Sequence, residues 1–348
     1  MDARDAQQRS IANPRLLPIG NLATDHVSPH DWQGKMAFTA DTTAFDFSGQ
    51  HRDAFAGKRV LITGSGKDGG LGQGLALAAA MNGAEVVGVH FNSSYRDGFD
   101  LVDAIRSHGV EAFALQADVT SHADLWASRS YTIDQMGGHI PDVIICNSGL
   151  TESGYRFGRS LPENDGENMA ERRARVRSAF MDNLTESRLV MNTKIDGFLS
   201  WTHLWASEAV YHGTPLQLVY VSSSQAIDPG VSVPGYVIAN WAVLRLPDVL
   251  RINLGKASDM VSACSVMFPF IRTSMTEEYA DNDRVFGRWQ SRMLETHEAA
   301  LSVAQLLSRP PDELDLGCFR LNVTGDADDI STTWTRVRIS LNEEDLGW

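Results

Sequence analysis

Cysteine is scarce in this sequence, and long apolar runs are absent. The cysteines among the 348 residues are Cys146, Cys264 and Cys318. Their scattered positions match no metal-ligand spacing, so we predict reduced thiols and no metal site. No stretch approaches the roughly 18 uninterrupted apolar residues of a membrane-spanning helix, and the first residues lack the apolar core of a signal peptide. From these absences we expect a soluble cytoplasmic protein without a membrane partner.

Basic residues are outnumbered by acidic ones. Lys and Arg total 30 against 44 Asp and Glu, which gives a formal net charge of -14 at pH 7. Nucleic acids and anionic membrane surfaces attract positively charged proteins, so this balance disfavours both as main partners. The sequence also has no internal repeat or low-complexity segment. We therefore expect a globular protein that acts on a small-molecule substrate.

The stretch around which the rest of the chain is arranged covers residues 58–81. A short apolar run at residues 60–62 predicts a buried strand, a glycine-dense turn follows, and an alanine-rich helix is predicted over residues 72–82. A second apolar strand at residues 86–89 completes a βαβ unit. In this context glycines let backbone N–H groups approach a pyrophosphate, and the helix N-terminus attracts its negative charge. We therefore predict a dinucleotide-binding turn.

Strand and helix patterns alternate along the rest of the chain. Further strands are predicted at residues 112–117, 142–146, 216–221, 261–268 and 318–323, and helices at residues 99–108, 121–136, 178–211, 235–255 and 286–308. Such alternation predicts an α/β fold, a Rossmann-type doubly wound parallel sheet with helices on both faces. Ligands of such sheets bind at the carboxyl ends of the strands, where the turns at Thr63, Asp118 and Asn147 should converge.

The predicted sheet forms a single domain over residues 57–330. Before it, residues 1–56 carry several prolines and no sustained periodicity, which predicts an irregular N-terminal extension packed on the domain or on a neighbouring subunit. After it, residues 331–348 are assigned to a C-terminal tail. Residues 151–177 break the alternation and are interpreted as an insertion, in which the charged run 171–177 is typical of a solvated helix face.

The order and spacing of the turn residues resemble those of the short-chain dehydrogenase/reductase family over roughly residues 57–326. Thirteen positions separate Ser223 from Tyr236, which is the usual interval of the family. The other matching residues, in chain order, are Thr63, Gly64, Gly70, Leu71, Gly72, Asp118, Val119, Asn147, Ser148, Gly149, Asn192, Pro269 and Thr273. The resemblance implies a Rossmann fold, a nicotinamide cofactor and carbonyl reduction.

The resemblance also implies catalytic roles. Tyr236 would be the proton donor and Ser223 a second donor to the substrate oxygen, with Asn192 as a further member of the set. A tyrosine with an ordinary pKa of about 10 is a poor acid–base catalyst at neutral pH, and the family lowers that pKa with a lysine four residues after the tyrosine. Here that position is Asn240, which lies on the same helix face and is able to bond the nicotinamide ribose, but brings no positive charge.

Three functions are compatible with an asparagine at position 240 in place of the lysine of the family. The first is a reductase with a rewired proton relay, in which Arg188 or Lys194 replaces the missing cation. The second is an enzyme with the same cofactor whose substrate needs no protein acid, such as a conjugated or cationic acceptor. The third is a cofactor-binding subunit or sensor without turnover, which the retention of Ser223, Tyr236 and Asn192 disfavours.

Cofactor contacts are expected along the glycine turn and after the second, third and fourth strands. The second strand is followed by no acid that would hold the ribose of NAD, whereas Asn92 and Ser93 offer hydrogen bonds to a 2′-phosphate and Arg96 or Lys67 offers charge. We therefore favour NADP(H) over NAD(H). The predicted cofactor-binding residues are Thr63, Gly64, Ser65, Gly66, Gly70, Leu71, Gly72, Asn92, Ser93, Asp118, Val119, Asn147, Ser148, Gly149, Asn240 and Thr273.

The substrate side and the oligomer are also implied by the resemblance. Residues 275–295 fall where the substrate lid of the family lies, and with the insertion they indicate room for a bulky, largely apolar substrate. Family members often associate through the helix that carries the tyrosine, and Pro247 predicts a kink there, so we expect a homodimer, with a homotetramer as the alternative. The sequence thus predicts NADPH-dependent reduction of a ketone or quinone on a bulky biosynthetic intermediate.

Overall fold

The computed structural model describes most of the chain. Side chains and backbone are described for residues 53–153, 164, 166–230, 232–277, 291–325 and 330–337, and the backbone alone for residues 38–44, 290 and 338–341. Most of these residues belong to one compact unit, Ala40–Arg338. The predicted N-terminal extension, residues 1–56, lies mostly outside the described residues.

The main sheet is parallel over most of its width. Its strands are β1 (Phe38–Ala44), β2 (Arg59–Ile62), β3 (Val86–Phe91), β4 (Glu111–Gln116), β5 (Val143–Cys146), β6 (Leu216–Ser223), β7 (Val261–Phe268), β10 (Cys318–Thr324) and β11 (Ser331–Leu341), while β8 (Ile271–Arg272) and β9 (Leu294–Glu295) form a separate pair. The order is β1-β11-β10-β7-β6-β5-β2-β3-β4. Neighbours from β4 to β10 are parallel, and β11 is antiparallel to β10. The chain reverses direction across the sheet between β2 and β5, where doubly wound sheets bind ligands.

Helices cover both faces of this sheet. They are α1 (Leu71–Met81), α2 (Tyr95–Ser107), α3 (His122–Gln135), α4 (Met169–Met191), a π-helix (Asn192–Asp196), α5 (Gly197–His212), α6 (Pro234–Val243), α7 (Leu246–Leu254), α8 (Thr296–Leu307) and α9 (Pro311–Leu314). Val60 and Ile62 belong to one apolar cluster and Leu61 to another, because successive side chains of a strand point to opposite faces. The predicted fold class is therefore confirmed.

Several predicted helices differ in extent from those of the structure; within the described residues the helix predicted over residues 286–308 begins only at Thr296, because residues 294–295 form β9. The helix predicted over residues 235–255 is two helices, α6 and α7, because Pro247 is tolerated only in the first turn of a helix, and it lies in the first turn of α7. The helix predicted over residues 178–211 begins earlier, after Asn168, whose side chain accepts hydrogen bonds from the N–H groups of Ala170 and Glu171. The end of the predicted insertion is therefore helical, and its charged run is largely exposed, as predicted.

The assignment of residues 331–348 to a tail does not hold for residues 331–341, which form β11. The segment is rich in β-branched residues, which favour strands, but it has no apolar run long enough to reveal burial. Trp334 is 1% exposed. Its indole N–H donates a hydrogen bond of 2.7 Å to the carbonyl of Ser302 on α8, and its ring meets Phe268 edge-on. This strand therefore completes one side of the core.

Trp334→Ala is expected to lower the free energy of unfolding by about 3–5 kcal/mol, because it removes a fully buried aromatic side chain. Urea denaturation followed by circular dichroism measures the change. The control is Trp126→Ala, since Trp126 is 63% exposed, and its effect should stay below about 1 kcal/mol. Equally small effects of the two substitutions would show that β11 does not contribute to the core.

Candidate active site

The end of β2 and the beginning of α1 form a turn in which glycines permit close backbone contacts. Gly64 has a φ of 63°, and a Cβ placed there would lie 2.8 Å from the Cα of Ser148. A Cβ on Gly72 would lie 2.3 Å from the carbonyl oxygen of Gly64. Any larger residue would push these segments apart. The two glycines therefore bring the start of α1 against the end of the sheet.

Ser65 and Gly66 lie in the same loop and pack against the ends of β2 and β3. The hydroxyl of Ser65 is buried and donates a hydrogen bond of 2.9 Å to the carbonyl of Ile62. A Cβ on Gly66 would lie 2.6 Å from the Cβ of Phe91. Ser65 and Gly66 therefore contribute to the predicted cofactor site by setting the path of the backbone.

Thr63 connects this turn to the turn after β5. Its side-chain oxygen accepts hydrogen bonds from the backbone N–H groups of Asn147, at 2.9 Å, and Ser148, at 3.0 Å. The amide of Asn147 donates in return to the carbonyl of Gly64 at 3.1 Å. The two turns thus meet at the carboxyl edge of the sheet.

The N-terminus of α1 has no side-chain cap at Gly70. Such a terminus presents backbone N–H groups and a partial positive charge, which favour phosphate binding. In the preceding loop the carbonyl of Gly69 accepts a hydrogen bond of 3.0 Å from the N–H of Ser274. This bond brings the neighbouring Thr273 to the glycine turn, although the hydroxyl of Thr273 accepts a bond from the N–H of Met275.

A buried histidine supports the glycine turn from the end of β3. The Nδ1 atom of His90 accepts a hydrogen bond of 3.1 Å from the N–H of Gly64. Burial lowers the pKa of His90 to about 4, so the imidazole is neutral at neutral pH and is able to accept this bond. The strand predicted at residues 86–89 ends one residue before His90, whereas the observed strand continues to Phe91, and no local pattern reveals the contact with Gly64.

The residues that follow β3 include an acid as well as the predicted polar groups. Asn92 and Ser93 are exposed, as a role in binding the adenosine end of a nucleotide requires. Asp97, in the first turn of α2, accepts a hydrogen bond of 3.3 Å from the backbone N–H of Asp68 in the glycine loop. This carboxylate comes several residues after the strand, so the sequence alone does not assign it to the turn.

Asp118 and Val119 order the turn after β4. A carboxylate oxygen of Asp118 accepts hydrogen bonds from the N–H and the hydroxyl of Thr120, at 2.8 and 2.7 Å. Asp118 does not cap α3, because that helix is capped by Ser121. Val119 is buried against α5, where a Cβ on Gly197 would lie 2.8 Å from its side chain.

Tyr236, Ser223 and Asn240 come together at the end of β6 and on α6. Burial raises the pKa of Tyr236 above its ordinary value, and hydrogen bonds with the side chains of Ser223 and Asn240 oppose this rise. The amide of Asn240, which is fully buried, also donates to the backbone carbonyl of Tyr236 at 2.9 Å. The phenol of Tyr236 is therefore protonated at neutral pH.

A buried carboxylate that the sequence analysis missed holds the start of α6. Glu152 is 4% exposed, and one of its oxygens accepts a hydrogen bond of 3.0 Å from the backbone N–H of Tyr236. The other oxygen accepts a bond from the hydroxyl of Ser187 on α4. A negative charge at a helix N-terminus is favourable. No local pattern reveals this contact, because 84 positions separate Glu152 from Tyr236.

The π-helix buries Lys194 and leaves Asn192 exposed. Lys194 is 6% exposed, and its Nζ lies 5.0 Å from the ring centre of Phe198. A Cβ on Gly149 would lie 3.5 Å from the same Nζ, so the amine reaches the turn after β5. Desolvation lowers the pKa of Lys194 to about 7. Catalysis by Asn192 stays a prediction, and its exposure does not support it.

The residues present at this edge fit a dinucleotide. Gly64 and Gly72 form a cradle that a Cβ would fill, and the adjoining helix N-terminus is uncapped. The hydroxyl of Ser148 is buried and has no hydrogen-bond partner within the described part of the chain. Buried polar groups of this kind are normally satisfied by a ligand or by water. A nucleotide bound along these turns would therefore find both a phosphate site and a polar partner.

Other expected features of the site are only partly described. Of the predicted lid, residues 278–289 lie outside the described residues, and of the predicted insertion, residues 154–163 do so. Where side chains are described, no group of three or more His, Cys, Asp or Glu residues is placed to hold a metal ion. Within the same ranges no helix combines the length and apolarity needed to cross a membrane.

The sequence is similar to those of known reductases. A family model for short chain dehydrogenases matches residues 58–284. A hydroxynaphthalene reductase-like protein of Metarhizium majus is 28% identical over 182 residues, which cover 51% of this chain and 64% of that protein. A tetrahydroxynaphthalene reductase of Pestalotiopsis fici is 38% identical over 109 residues, which cover 31% and 37%. The chain thus spans less than two thirds of the length of these curated relatives.

Solved structures share the fold. A gluconate 5-dehydrogenase from Burkholderia cenocepacia, in complex with NADP and tartrate, has a TM-score of 0.61 at 18% identity over 78% of this chain and 96% of that one. A 7α-hydroxysteroid dehydrogenase complexed with NADH and 7-oxo glycochenodeoxycholic acid has a TM-score of 0.62 at 19% identity over 78% and 95%. At these identities the likeness shows the fold alone.

Glu152→Ala is expected to lower the free energy of unfolding by about 1–3 kcal/mol, because it leaves the Tyr236 N–H and the Ser187 hydroxyl without their acceptor. Urea denaturation measures the loss. Glu186→Ala is the control, since Glu186 accepts the exposed bonds of the adjacent Ser153, and its effect should stay below about 1 kcal/mol. Equal losses in the two variants would show that Glu152 has no special role at the start of α6.

Proposed function

Because the chain belongs to the short chain dehydrogenase family, we propose that it is an oxidoreductase that uses a nicotinamide dinucleotide to reduce a carbonyl group. The observation that carries this proposal is the half-buried Tyr236 at the start of α6, whose phenol lies beside the side chain of Ser223 at the end of β6. Reduction of a ketone needs a proton donor and a second donor that holds the oxygen, and this pair supplies both. The names of the relatives, hydroxynaphthalene reductases, support the same class of reaction.

The proposed mechanism assigns a task to each residue of the site. When bound, the reduced nicotinamide supplies a hydride to the carbonyl carbon. Tyr236 gives its phenolic proton to the oxygen, and the hydroxyl of Ser223 donates a hydrogen bond that stabilises the developing negative charge. Asn240 offers its side-chain carbonyl oxygen, which has no partner among the described residues, to the nicotinamide ribose. Glu152 keeps Tyr236 in place through its backbone N–H.

The remaining predicted residues are proposed to hold the cofactor. Backbone N–H groups of Leu71 and Gly72, at the uncapped start of α1, would receive the pyrophosphate. Asp118 would lie beside the adenine, the turn at residues 147–149 would line the middle of the cofactor, and Thr273 would reach its carboxamide end.

At the adenosine end we propose NADP(H) rather than NAD(H). Asn92 and Ser93 are exposed after β3 and offer hydrogen bonds to a 2′-phosphate, and Lys67, also exposed, adds charge. Asp97 acts in the opposite direction, because its carboxylate reaches the glycine loop, where it would repel a phosphate and suit ribose hydroxyls. The relative affinities of NADPH and NADH decide between the two.

The proposed substrate is a bulky ketone or quinone, and the specific candidate is a polyhydroxynaphthalene. A naphthol ring accepts hydride in its keto form, whose oxygen then needs a proton donor such as Tyr236. The relatives named for hydroxynaphthalenes support this choice. We propose that the reaction takes place in the cytoplasm, and the net charge of -14 disfavours nucleic acid as a partner.

The purified protein is expected to oxidise NADPH in the presence of a polyhydroxynaphthalene or another bulky ketone or quinone. Tyr236→Phe should lower kcat by about a hundredfold to ten-thousandfold, the usual contribution of a general acid, with little change in the Kd of NADPH or NADH. The absorbance of NADPH measures turnover, and fluorescence titration measures binding. Tyr131→Phe is the control, because Tyr131 lies on α3 and is 43% exposed.

Other results would favour other functions. Turnover that survives in Tyr236→Phe would indicate that the proton comes from substrate or solvent, as in the reduction of a conjugated double bond. Tight binding of NADPH without oxidation by any acceptor would favour a binding subunit or sensor. Failure to bind either nucleotide would contradict the proposal itself.

We also propose that the protein forms a homodimer, with a homotetramer as the alternative. Met169, Val176 and Phe180 are 66%, 48% and 55% exposed, and their spacing places them on one face of α4. Exposed apolar stripes on soluble proteins mark contact surfaces. The flanking Arg172 and Arg173 are basic, whereas the chain carries a net charge of -14, so a second copy offers the complementary charge.

Phe180→Glu is expected to convert the oligomer to a monomer, because it introduces a charge into the apolar stripe of α4. Light scattering coupled to size-exclusion chromatography gives the mass. Met81→Glu, at the exposed end of α1 (70% exposed), should leave the mass unchanged. A wild-type protein that is monomeric at micromolar concentration would contradict the proposed dimer.

A further inference from the structure

Gly64, the first glycine after β2, is held by side chains that come from two other strands of the sheet. Its N–H donates a hydrogen bond of 3.1 Å to the Nδ1 atom of His90, at the end of β3. Its carbonyl accepts a bond of 3.1 Å from the side-chain amide of Asn147, after β5. These two bonds fix the orientation of the peptide groups at the start of the glycine turn, where φ is 63°.

His90 also holds the next residue of the turn. The N–H of Ser65 donates a hydrogen bond of 2.8 Å to the backbone carbonyl of His90, and the hydroxyl of Ser65 lies 3.4 Å from the same oxygen. Two successive N–H groups of the turn, those of Gly64 and Ser65, therefore donate to one residue of β3. The second of these bonds is available to any residue at position 90, whereas the first depends on the imidazole.

The imidazole of His90 lies in apolar surroundings. The residue is 2% exposed, and its ring meets the ring of Trp201 on α5 edge-on, with 5.3 Å between the ring centres. Its Nε2 atom has no hydrogen-bond partner among the described residues. Burial of a ring nitrogen without a partner costs free energy, and a leucine would pack on Trp201 without that cost. The bond to Gly64 is thus the contact that accounts for a histidine here.

The bond to Gly64 assigns the tautomer of His90. A nitrogen that accepts a hydrogen bond carries a lone pair, so the proton of the neutral ring is on Nε2. A second proton would occupy Nδ1 and place two N–H donors opposite each other, at the 3.1 Å that separates their nitrogens. The protonated ring therefore cannot hold the N–H of Gly64.

The surroundings of His90 keep the ring neutral. Desolvation by burial lowers the pKa of His90 to about 4, while the backbone carbonyl of Ala117 and the carboxylate of Asp118, which follow β4, oppose this effect. The glycine turn and α5 contribute Gly64 and Trp201, neither of which titrates. Since the folded pKa lies below the ordinary value of a histidine, the neutral form persists above about pH 5 and is lost as the pH falls through about 4.

We propose that His90 is a positioning residue of the nucleotide site: its neutral imidazole holds the N–H of Gly64 and thereby sets the affinity for a dinucleotide, and a proton on the ring releases the turn. The inference rests on the proposed function, since it takes a nicotinamide dinucleotide as the ligand. His90 acts through the backbone. The cradle at Gly64 and Gly72, which a Cβ would fill, keeps its shape only while the peptide of Gly64 is held in place.

Two substitutions separate the hydrogen-bond acceptor from the ring. His90→Leu keeps a similar volume and accepts no bond, whereas the side-chain oxygen of His90→Asn stands close to the position of Nδ1 and accepts one. His90→Leu should bind NADPH and NADH about tenfold to a hundredfold more weakly at neutral pH, because the N–H of Gly64 loses its acceptor. His90→Asn should stay within about threefold of the wild type. Fluorescence titration measures both Kd values.

The matched control is a histidine on the opposite side of the sheet. The Nε2 of His212 lies 3.2 Å from a carboxylate oxygen of Glu208, and its side chain is 34% exposed. It ends α5, at the edge where β6 begins, and His212→Leu should bind both nucleotides as the wild type does. Unchanged affinity in His90→Leu would overturn the inference. Equal losses in His90→Leu and His90→Asn would also overturn it, because the ring and not its acceptor would then matter.

The pH dependence of binding tests the role of the proton. NAD⁺ is the probe, because it is stable in acid and lacks the titrating 2′-phosphate of NADP⁺. Wild-type affinity should fall by about tenfold per pH unit below about pH 4, since binding then excludes a proton from His90. His90→Asn shares every other titrating group, including the adenine of the ligand, so the steeper fall of the wild type belongs to His90. Circular dichroism defines the pH range in which both proteins are folded, and identical profiles in that range would contradict the role of the proton.

Nuclear magnetic resonance reports the tautomer directly and needs no acid. In protein labelled with ¹⁵N-histidine, one ring should show an unprotonated Nδ1 and a protonated Nε2 at neutral pH, and its signals should be absent from His90→Asn. A proton on Nδ1 of this ring would overturn the inference. This measurement and the affinity of His90→Asn also stand if His90→Leu does not fold.

The inference and the proposed function fail in different ways. A wild type that binds NADH through His90 but oxidises NADPH with no acceptor would leave the inference standing while the proposed reduction fails. A wild type that reduces a ketone, with the same nucleotide affinity in His90→Leu, would remove the inference alone. A wild type that binds neither nucleotide would remove both.

Discussion

The candidate active site depends on the contact between two backbone turns at the carboxyl edge of the sheet. Thr63 accepts hydrogen bonds from two successive N–H groups of the opposite turn, and the lack of a Cβ on Gly64 allows the backbones to approach each other. The segment after β5, which carries further residues of the candidate site, is positioned by this contact. Gly149 is set against Lys194, and the chain continues to Glu152, which fixes the backbone of Tyr236. Contacts of the backbone therefore determine the shape of the site, and the side chains take their positions from that backbone.

Burial of polar groups gives this framework its electrostatic character. Glu152 is stabilised by two hydrogen-bond donors and a helix N-terminus, so its burial costs little. Lys194 and the carbonyl oxygen of Asn240 lack comparable partners among the described residues. Free energy of folding is thus lost at the residues closest to the proposed nicotinamide site, whereas the two apolar clusters on either side of the sheet supply the stability. This division between stable scaffold and strained site is common in enzymes.

The fold class and the family could be predicted from the sequence, and both are confirmed, because glycine turns and buried strands leave local patterns. The interval between Ser223 and Tyr236 also predicts their pairing in the site, and this pairing stays a prediction. Glu152 was not predictable, because only the folded chain brings it to Tyr236. Trp334 was missed for a similar reason: a short strand of mixed polarity shows its burial only when it is paired with β10. Lys194 was named with Arg188 as a possible cation, and only the folded chain shows that its side chain is buried.

The π-helix has a consequence for how this chain tolerates changes in length. A helix of the π type accommodates additional residues within otherwise α-helical structure, and here it lies between an exposed helix, α4, and a helix whose aromatic residues fill the core, α5. Deletion of one residue between Asn192 and Asp196 would rotate one of these helices against the other by about 100°, the angle per residue of an α-helix. Trp201 and Trp205 are 1% and 0% exposed. Either these side chains would then leave the core, or α4 would be displaced. The length of this segment is thus fixed by the packing of α5 in the core.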